Sequence, residues 1–514
     1  MQPAVELRGI TKCFPGVLAN DQTNLVVEKG EVHAVLGENG AGKSTLMHIL
    51  YGSYQPDEGE IVLDGQQVRF ASQREAIGHN IGMIHQDFML VRPFTVVENV
   101  VLGLRDERGG ILDLGKAAAR IKELSDRHGL TVDPWARVEH LPVGVQQRVE
   151  IIKLLYRDAR ILILDEPTAV LTPQETGKLL ATLRALTAEG RSVIIVTHKL
   201  HEIIEVADRI TIMRDGRTVA TLDKKATTEA ELARMMVGRD VALKVRRTPL
   251  RQGNPILRVS DLYVADDRGA SAVNGVDLSV HEGEIVGIAG VDGNGQSQLV
   301  EGLMGLRAIR QGSVEMAGVE ITDAPLFDRS GKGLVYVPAD RRGVGSVATL
   351  NIEDNAILGN QRQFSGAGSL LRDRAKSRSH AETLIDRFGV RTPDIRFPAG
   401  KLSGGNLQKV ILGREIMRDP RVLIVEQPTR GLDVGAIEVI WSELLAAREQ
   451  GKGILLISAE LEEIRNLADR IFVMYGGRFM GELRSEDASD EVIGLMMAGV
   501  SAVGAREVGH VEYV

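Results

Sequence analysis

Gly30-Glu31 recurs as Gly283-Glu284 and Gly37 recurs as Gly290, each 253 positions on, while Met235-Met236 recurs as Met496-Met497 at an offset of 261. A chain that meets the same local constraints twice in the same order folds as two copies of one unit. Its 514 residues also exceed the roughly 250–300 at which single cores stop growing. The difference between the offsets is an insertion in the second copy, between about Ala339 and Lys401. Residues 1–240 and 256–500 are therefore expected to be two domains. The stretch between them, 241–255 (VALKVRRTPLRQGNP), is basic, contains Pro and Gly, has no apolar period and reads as a linker. The tail, 501–514, has little to pack.

In the first copy LGENGAGKST places Gly37, Gly42, Lys43 and Ser44 at the spacing G-x-x-x-x-G-K-[ST]. In that arrangement backbone N–H groups cradle phosphates, the Lys reaches the β/γ-oxygens and the hydroxyl ligates Mg²⁺. Glycines serve there because a side chain would hold the backbone off the phosphate or block positive φ. The flanks agree with this reading. EVHAVL (31–36) reads as a buried strand, and STLMHIL (44–50) as a helix whose N-terminus faces the phosphates. Further on, ARILILDEPTA (159–169) is an apolar strand ending in Asp165 and Glu166, acids at the strand edge where ligands sit in open α/β sheets. Asp165 would hold Mg²⁺ and Glu166 would orient and deprotonate an attacking water. VIIVTHKL (193–200) is a second apolar strand, ending in His198, a residue that at a strand end is more often structural than catalytic.

The rest of the composition narrows the class. No uninterrupted apolar run approaches the ~18 residues of a membrane span, and MQPAVELRG has neither a basic start nor an apolar core, so neither a transmembrane helix nor a secretory signal is expected. A single cysteine, Cys13, excludes an internal disulfide, a cysteine-bound zinc and an iron–sulfur cluster. A net charge of −8 argues against a general nucleic-acid binder.

Taken in order, the phosphate loop, Gln86 in MIHQDF, a degenerate LPVGVQQR (141–148), LILDEPT and His198 resemble the ATP-binding cassette ATPases. The second half carries that family's signature intact as LSGGNLQK (402–409). Tandem cassettes of this kind are similar to the ATPase subunits of bacterial importers for monosaccharides and nucleosides. FPGVLAND (14–21), GVDGNGQSQL (290–299), EQPTRGLDVGA (426–436) and ISAELEE (457–463) resemble the nucleoside branch more closely. The resemblance implies an α/β fold of two P-loop NTPase domains in tandem, each a mixed or parallel sheet with a helical subdomain. It implies ATP and Mg²⁺ as cofactors, and two integral-membrane permease subunits with a solute-binding protein behind them as partners, with no nucleic acid. The location implied is peripheral, at the cytoplasmic face of the inner membrane. A soluble tandem cassette acting on ribosomes or DNA is the rival class.

The departures from the family pattern are sorted. In the second half the Lys of the loop is Gln296, although Gly290, Gly295 and Ser297 persist; Gln86 is matched by Ala339, Asp165-Glu166 by Glu426-Gln427, and His198 by Ala459. The first half keeps those residues but has Pro142-Val143 in its signature, and Thr172 where the second half has Asp433. The family sandwiches ATP between the phosphate loop of one cassette and the signature of another, packed head to tail. One complete set then follows, within one chain per transporter. Lys43, Gln86, Glu166, His198 and Ser403 would carry catalysis. Phe14 (adenine stacking), Gly37, Asn39, Gly40, Gly42, Ser44, Thr45, Asp165, Gly404, Gly405 and Asp433 would complete nucleotide binding, with Ser44, Gln86 and Asp165 on the metal. Gly290, Gly295 and Ser297 would remain for nucleotide in the second half, whose Asp266-Asp267 put adenine stacking there in doubt. Trp135, Trp441 and the two Met pairs read as packing, and 105–129 as a charged helical face. DFMLVRPFTVVENVVLG (87–103) reads equally as core or as the groove that the resemblance implies for a short cytoplasmic helix of the membrane partner.

Overall fold

The computed structural model describes residues 2–15, 17–86, 88–104, 113–168, 171, 173–197, 199–238, 253–291, 293–365 and 371–501. The chain divides into two compact units, Met1–Val241 and Ala242–Val514. Residues 241–252 of the expected linker, and 502–514 of the tail, lie outside the described residues. The end of the expected linker is structured. Gly253 N donates to Glu282 O, and Pro255 already opens the strand Pro255–Ala265.

Each unit is built from two sheets. In the first, Val17–Val27, Val5–Phe14, Glu58–Leu63 and Gln66–Val68 form an antiparallel sheet in that order. The other sheet runs Arg217–Asp223, Arg209–Arg214, Val32–Gly37, Ser192–Val196, Ile161–Asp165, Ile81–Ile84, all parallel except the first strand. Val32–Gly37, Ile161–Asp165 and Ser192–Val196 are buried along their whole length, as strands covered on both faces must be, which is why they read as unbroken apolar runs. The helix Lys43–Leu50 lies between the sheets. Its Leu46, Met47, Ile49 and Leu50 are fully buried against Val5, Leu7 and Leu25 of one sheet and Val35, Ile163 and Ile194 of the other. Each such side chain contributes about 1.5–3 kcal/mol by burial, so the helix that presents the loop is anchored from both sides. The second unit repeats the plan, with the antiparallel sheet ordered Ser271–His281, Pro255–Ala265, Ile309–Met316, Val319–Glu320 and the helix Gln296–Met304 in the matching place.

The helical subdomains hold Val96–Val101, Leu114–His128 and Val143–Tyr156 in the first unit, and Ile352–Ala356, Arg374–Phe388 and Gly404–Ile416 in the second. Val96–Val101 starts on a capping box between Thr95 and Glu98, and Val96, Val97 and Val100 are fully buried. Met89 (65% exposed) and Leu102 on either side are open. The core reading of the 87–103 segment thus holds for Val96, Val97 and Val100 and not for Met89 and Leu102. Of 105–129, residues 105–112 lie outside the described set and the rest is the helix Leu114–His128. Met236, Met496 and Met497 are buried as expected, and so is Trp441. Trp135 is 55% exposed and not core: its backbone N–H donates to Asp133 Oδ1 in a turn that holds it at the surface. Among the described residues no helix is long and apolar enough to cross a membrane.

A buried cation in the second unit, Arg329, has no charged counterpart in the first. Arg329, 2% exposed, stands where the first unit has Ala76, and its guanidinium donates to Gly302 O, Leu303 O, Thr322 O and Ala324 O. The first two are carbonyls in the last turn of Gln296–Met304, so the side chain closes that helix. Arg329→Ala leaves several buried acceptors unmatched, each worth roughly 1–3 kcal/mol, and is expected to cost about 3 kcal/mol or more. A thermal midpoint unchanged from wild type would contradict that account.

Candidate nucleotide site

The loop after Val32–Gly37 leads straight into Lys43–Leu50. Gly40 and Gly42 have φ of 88° and 89°. An added Cβ at Gly42 would collide with Ala19 O, and one at Gly37 with Met213 O. Close approach to neighbouring backbone thus demands glycine as firmly as the phosphate would. Lys43 is buried and folds its ammonium over the loop, donating to Gly37 O (2.7 Å) and Glu38 O (3.0 Å). The Ser44 hydroxyl lies beside the Asp165 carboxylate and acts to lower its pKa. Asp165 is 5% exposed, and its Oδ1 has no hydrogen-bond partner among the described residues. Burial pushes its pKa up, and neighbouring Glu166 adds to this. A hydroxyl beside a buried acid with an unmatched oxygen is the donor set a Mg²⁺ ion takes, so the residues present fit the metal.

Glu166 has φ of 49°, a left-handed conformation rare for a side chain of this kind, held by its N–H on Val196 O (2.8 Å). Gln427 repeats it, with φ of 47° and its N–H on Ile457 O. Gln86 follows Ile81–Ile84 and is exposed, Asn39 lies exposed in the loop, and Thr45 is half-buried in the first helical turn. His198 and Thr172 fall outside the described residues. Phe14 is half-buried and set edge-on to Tyr54 at 5.4 Å. Tyr54 lies 5.3 Å from His48, which stacks on His85 at 5.5 Å. Burial lowers the pKa of both histidines. This aromatic row beside the loop is absent from the sequence reading, because His48 and His85 meet only once the helix packs on the strand.

In the second unit each of these places is taken up by the protein itself. Gln296 turns its side chain into the loop, where Oε1 accepts from Asn294 N (3.1 Å) and Nε2 donates to Val291 O (3.1 Å). Gly295, at φ 104°, keeps the turn. Ser297 Oγ donates to Glu426 Oε1 (2.7 Å) and the Tyr336 hydroxyl to Glu426 Oε2, so both oxygens of the acid are engaged. Gln427 Oε1 accepts from Ala459 N (3.2 Å). At the offset of 253 from Phe14 and Tyr54 stand Asp267 and Arg307, an ion pair at 2.7 Å in place of the aromatic contact.

The signatures differ in the opposite sense. Ser403 caps the helix Gly404–Ile416, its Oγ accepting from Asn406 N (3.4 Å) and Asn406 Nδ2 (2.9 Å). An added Cβ at Gly405 would lie 3.0 Å from Ala436 Cβ and 3.7 Å from Asp433 Oδ2. The signature start and the Asp433 cap of Val434–Glu449 are therefore packed together. In the first unit Pro142 offers no side-chain cap, and Gly144 faces the Glu175 carboxylate, so closely that a Cβ would strike Oε1. Ala436 occupies the place of Glu175 in the second unit. A carboxylate against that helix start opposes an incoming phosphate.

A glycine cradle, its lysine and hydroxyl, and a buried acid at the end of parallel strands define a phosphate-loop nucleotide-binding protein, here with the fold carried twice in one chain. Residues 20–169 and 273–430 both match the ABC transporter family, and the chain belongs to it. A glucose import ATP-binding protein of Haloferax volcanii is 47% identical over 97% of this chain and 96% of its own length. A guanosine import ATP-binding protein of Bacillus subtilis is 46% identical, covering 97% and 98%. Relatives named for sugar import and for nucleoside import thus stand at 47% and 46%. Among solved structures, an archaeal ribosome recycling factor in complex with a ribosomal stalk protein matches in fold at 18% identity, with a TM-score of 0.61 over 93% of this chain and 90% of that one.

Proposed function

We propose that the chain is the ATP-hydrolysing subunit of an importer for monosaccharides or nucleosides, peripheral on the cytoplasmic face of the cell membrane. It serves two integral-membrane permease subunits and, through them, a solute-binding protein. The observation that carries this reading is end-to-end similarity to import ATP-binding proteins at 46–47% identity, whereas the likeness to a ribosome-associated tandem cassette is one of fold alone. A cavity of about 220 Å³ in the first cassette, lined by Tyr51, His85, Met89, Leu102, Lys153 and Arg157, has room for one side chain of a short permease helix.

In the mechanism, the loop N–H groups and Lys43 bind the phosphates and Phe14 meets the adenine. Ser44, Asp165 and Gln86 would hold Mg²⁺, which when bound neutralises charge on the β- and γ-phosphates. Glu166 takes a proton from the attacking water as its oxygen bonds to the γ-phosphorus. The bond from that phosphorus to the bridging oxygen breaks, and ADP leaves with the electron pair. His198 would contact the γ-phosphate, as the family resemblance implies. The second cassette supplies Ser403 and the N–H groups of Gly404 and Gly405 to the same phosphate, with Asp433 beside them. Each chain thus has one working site, because in the second cassette Gln296 lies in the loop, Tyr336 engages Glu426 and Gln427 lacks a basic carboxylate, while Pro142 and Glu175 spoil the first signature.

The test is purification of the tagged full chain from detergent-solubilised native membranes. Two polytopic membrane proteins are expected with it, and an added cognate binding protein with its solute should raise its ATPase rate. Recovery with ribosomes, and without membrane proteins, would select the soluble rival.

A further inference from the structure

Ala339 has replaced the glutamine that follows the edge strand in the first cassette, but the second cassette's loop is longer there (338–351 against 85–95) and carries Arg341. Three arms of this guanidinium face three elements. Nε donates to Gln408 Oε1 at 3.0 Å, one turn into the signature helix. Nη2 donates to Arg430 O at 2.5 Å, on the loop that leads to Asp433. Nη1 lies against the signature start, 3.4 Å from where a Cβ on Gly404 would sit. Burial holds the Arg341 pKa down to about 10, so the group stays cationic at neutral pH.

The loop that carries Arg341 is itself fixed. Asp340 Oδ1 accepts from Arg342 N (3.0 Å) and Gly343 N (2.8 Å), and Arg414, on the signature helix, donates to Gly345 O (3.0 Å). Gln408 is fully buried, and its Nε2 has no hydrogen-bond partner among the described residues. Its counterpart Gln147 in the first cassette uses that nitrogen on Pro167 O, tying its helix to its own acidic strand end. In the second cassette the amide has been turned over to Arg341. The connection therefore runs from the signature to the longer loop and on to the Asp433 segment.

We propose that Arg341 is a positioning residue for ATP hydrolysis, holding Ser403–Gly405 and Asp433 in one register through the Gln408 and Arg430 contacts. This rests on the reading that the second-cassette signature serves the phosphate loop of the first. A planar fork can meet two acceptors and brace a third element at once, whereas a lysine ammonium is a point charge on a flexible stem. Misplacement of catalytic groups by about 1 Å costs on the order of 10²-fold in rate.

The experiment compares wild type, Arg341→Lys, Arg341→Met and Ser403→Arg, each as the full chain assembled with its permeases. The readouts are kcat and KM for ATP and the thermal midpoint. Arg341→Met is expected to lower kcat about 10–100-fold with KM within about threefold, because Lys43 and its loop are untouched, and Arg341→Lys to fall between it and wild type. A kcat within twofold of wild type in Arg341→Met, with Ser403→Arg inactive, overturns the role of Arg341 and leaves the shared-site reading standing. An active Ser403→Arg instead overturns the shared site, and the proposal with it. Should Arg341→Met fail to fold, Arg341→Lys decides alone: a loss of kcat at constant KM and midpoint supports the proposal, and wild-type kcat ends it.

Discussion

Glu166→Gln is expected to reduce ATP turnover by about 10²–10⁴-fold, the usual contribution of a general base, while ATP affinity stays within a few-fold of wild type. The amide keeps the shape and the left-handed turn of this position, as Gln427 shows in the second cassette, but it cannot accept the proton. Lys43, which donates to Gly37 O and Glu38 O, and the loop N–H groups proposed to bind the phosphates are untouched. Phosphate release in a single turnover and nucleotide binding by filter or calorimetry separate the two effects. Adding Gln427→Glu should not rescue the rate. Gln296 would still lie in the second loop and Tyr336 would still hold Glu426. Near wild-type turnover in the double variant would mean that the second loop hydrolyses ATP after all.

The second large effect is expected from Ser403→Arg. A bulky cation at the cap of Gly404–Ile416 removes the hydroxyl and crowds the helix start, and loss of one preorganised donor typically costs about 10²–10³-fold. Pro142→Arg, in the same half as the intact phosphate loop, should change the rate by less than about threefold, because the signature there already lacks a cap and faces Glu175. If each cassette instead worked on its own, the order would reverse. Steady-state ATPase of the two assembled variants, with thermal melts to check folding, distinguishes these cases. A greater loss in Pro142→Arg would remove Ser403, Gly404 and Gly405 from the proposed catalytic set.

What the sequence disclosed follows from which interactions are local. The strands Val32–Gly37 and Ile161–Asp165 are unbroken apolar runs, and the glycines between strand and helix are spaced by the turn itself, so both were readable along the chain. The repeat then supplied the comparison that exposed Gln296, Gln427 and Pro142 as departures. Contacts made by side chains remote in sequence left no such trace. A tyrosine within LVYV reads as core, and only the pairing of Leu334–Val337 with Val422–Glu426 brings Tyr336 to Glu426. Glu175 looks like an ordinary first-turn acid until the fold sets it against Gly144. Arg341, in a loop with no periodic pattern, has no meaning until Gln408 and Arg430 are beside it. Trp135 misled for the converse reason, since size and apolarity suggest burial and the Asp133 turn overrides them.

The unequal burial of the two tryptophans gives the chain a built-in optical label. Trp441 is 5% exposed, with its indole N–H on Glu463, a carboxyl that burial pushes up to about 7. Trp135, the only other indole, is 55% exposed. Short-wavelength emission of the native protein therefore belongs to the second cassette, and Trp135 already emits as a solvated ring. Heating or urea that opens the second cassette moves the spectrum to the red, and opening of the first leaves it nearly still. The melting of the half that holds Arg329, Arg341 and the intact signature can so be followed by unlabelled fluorescence, with the other half silent at the same wavelength.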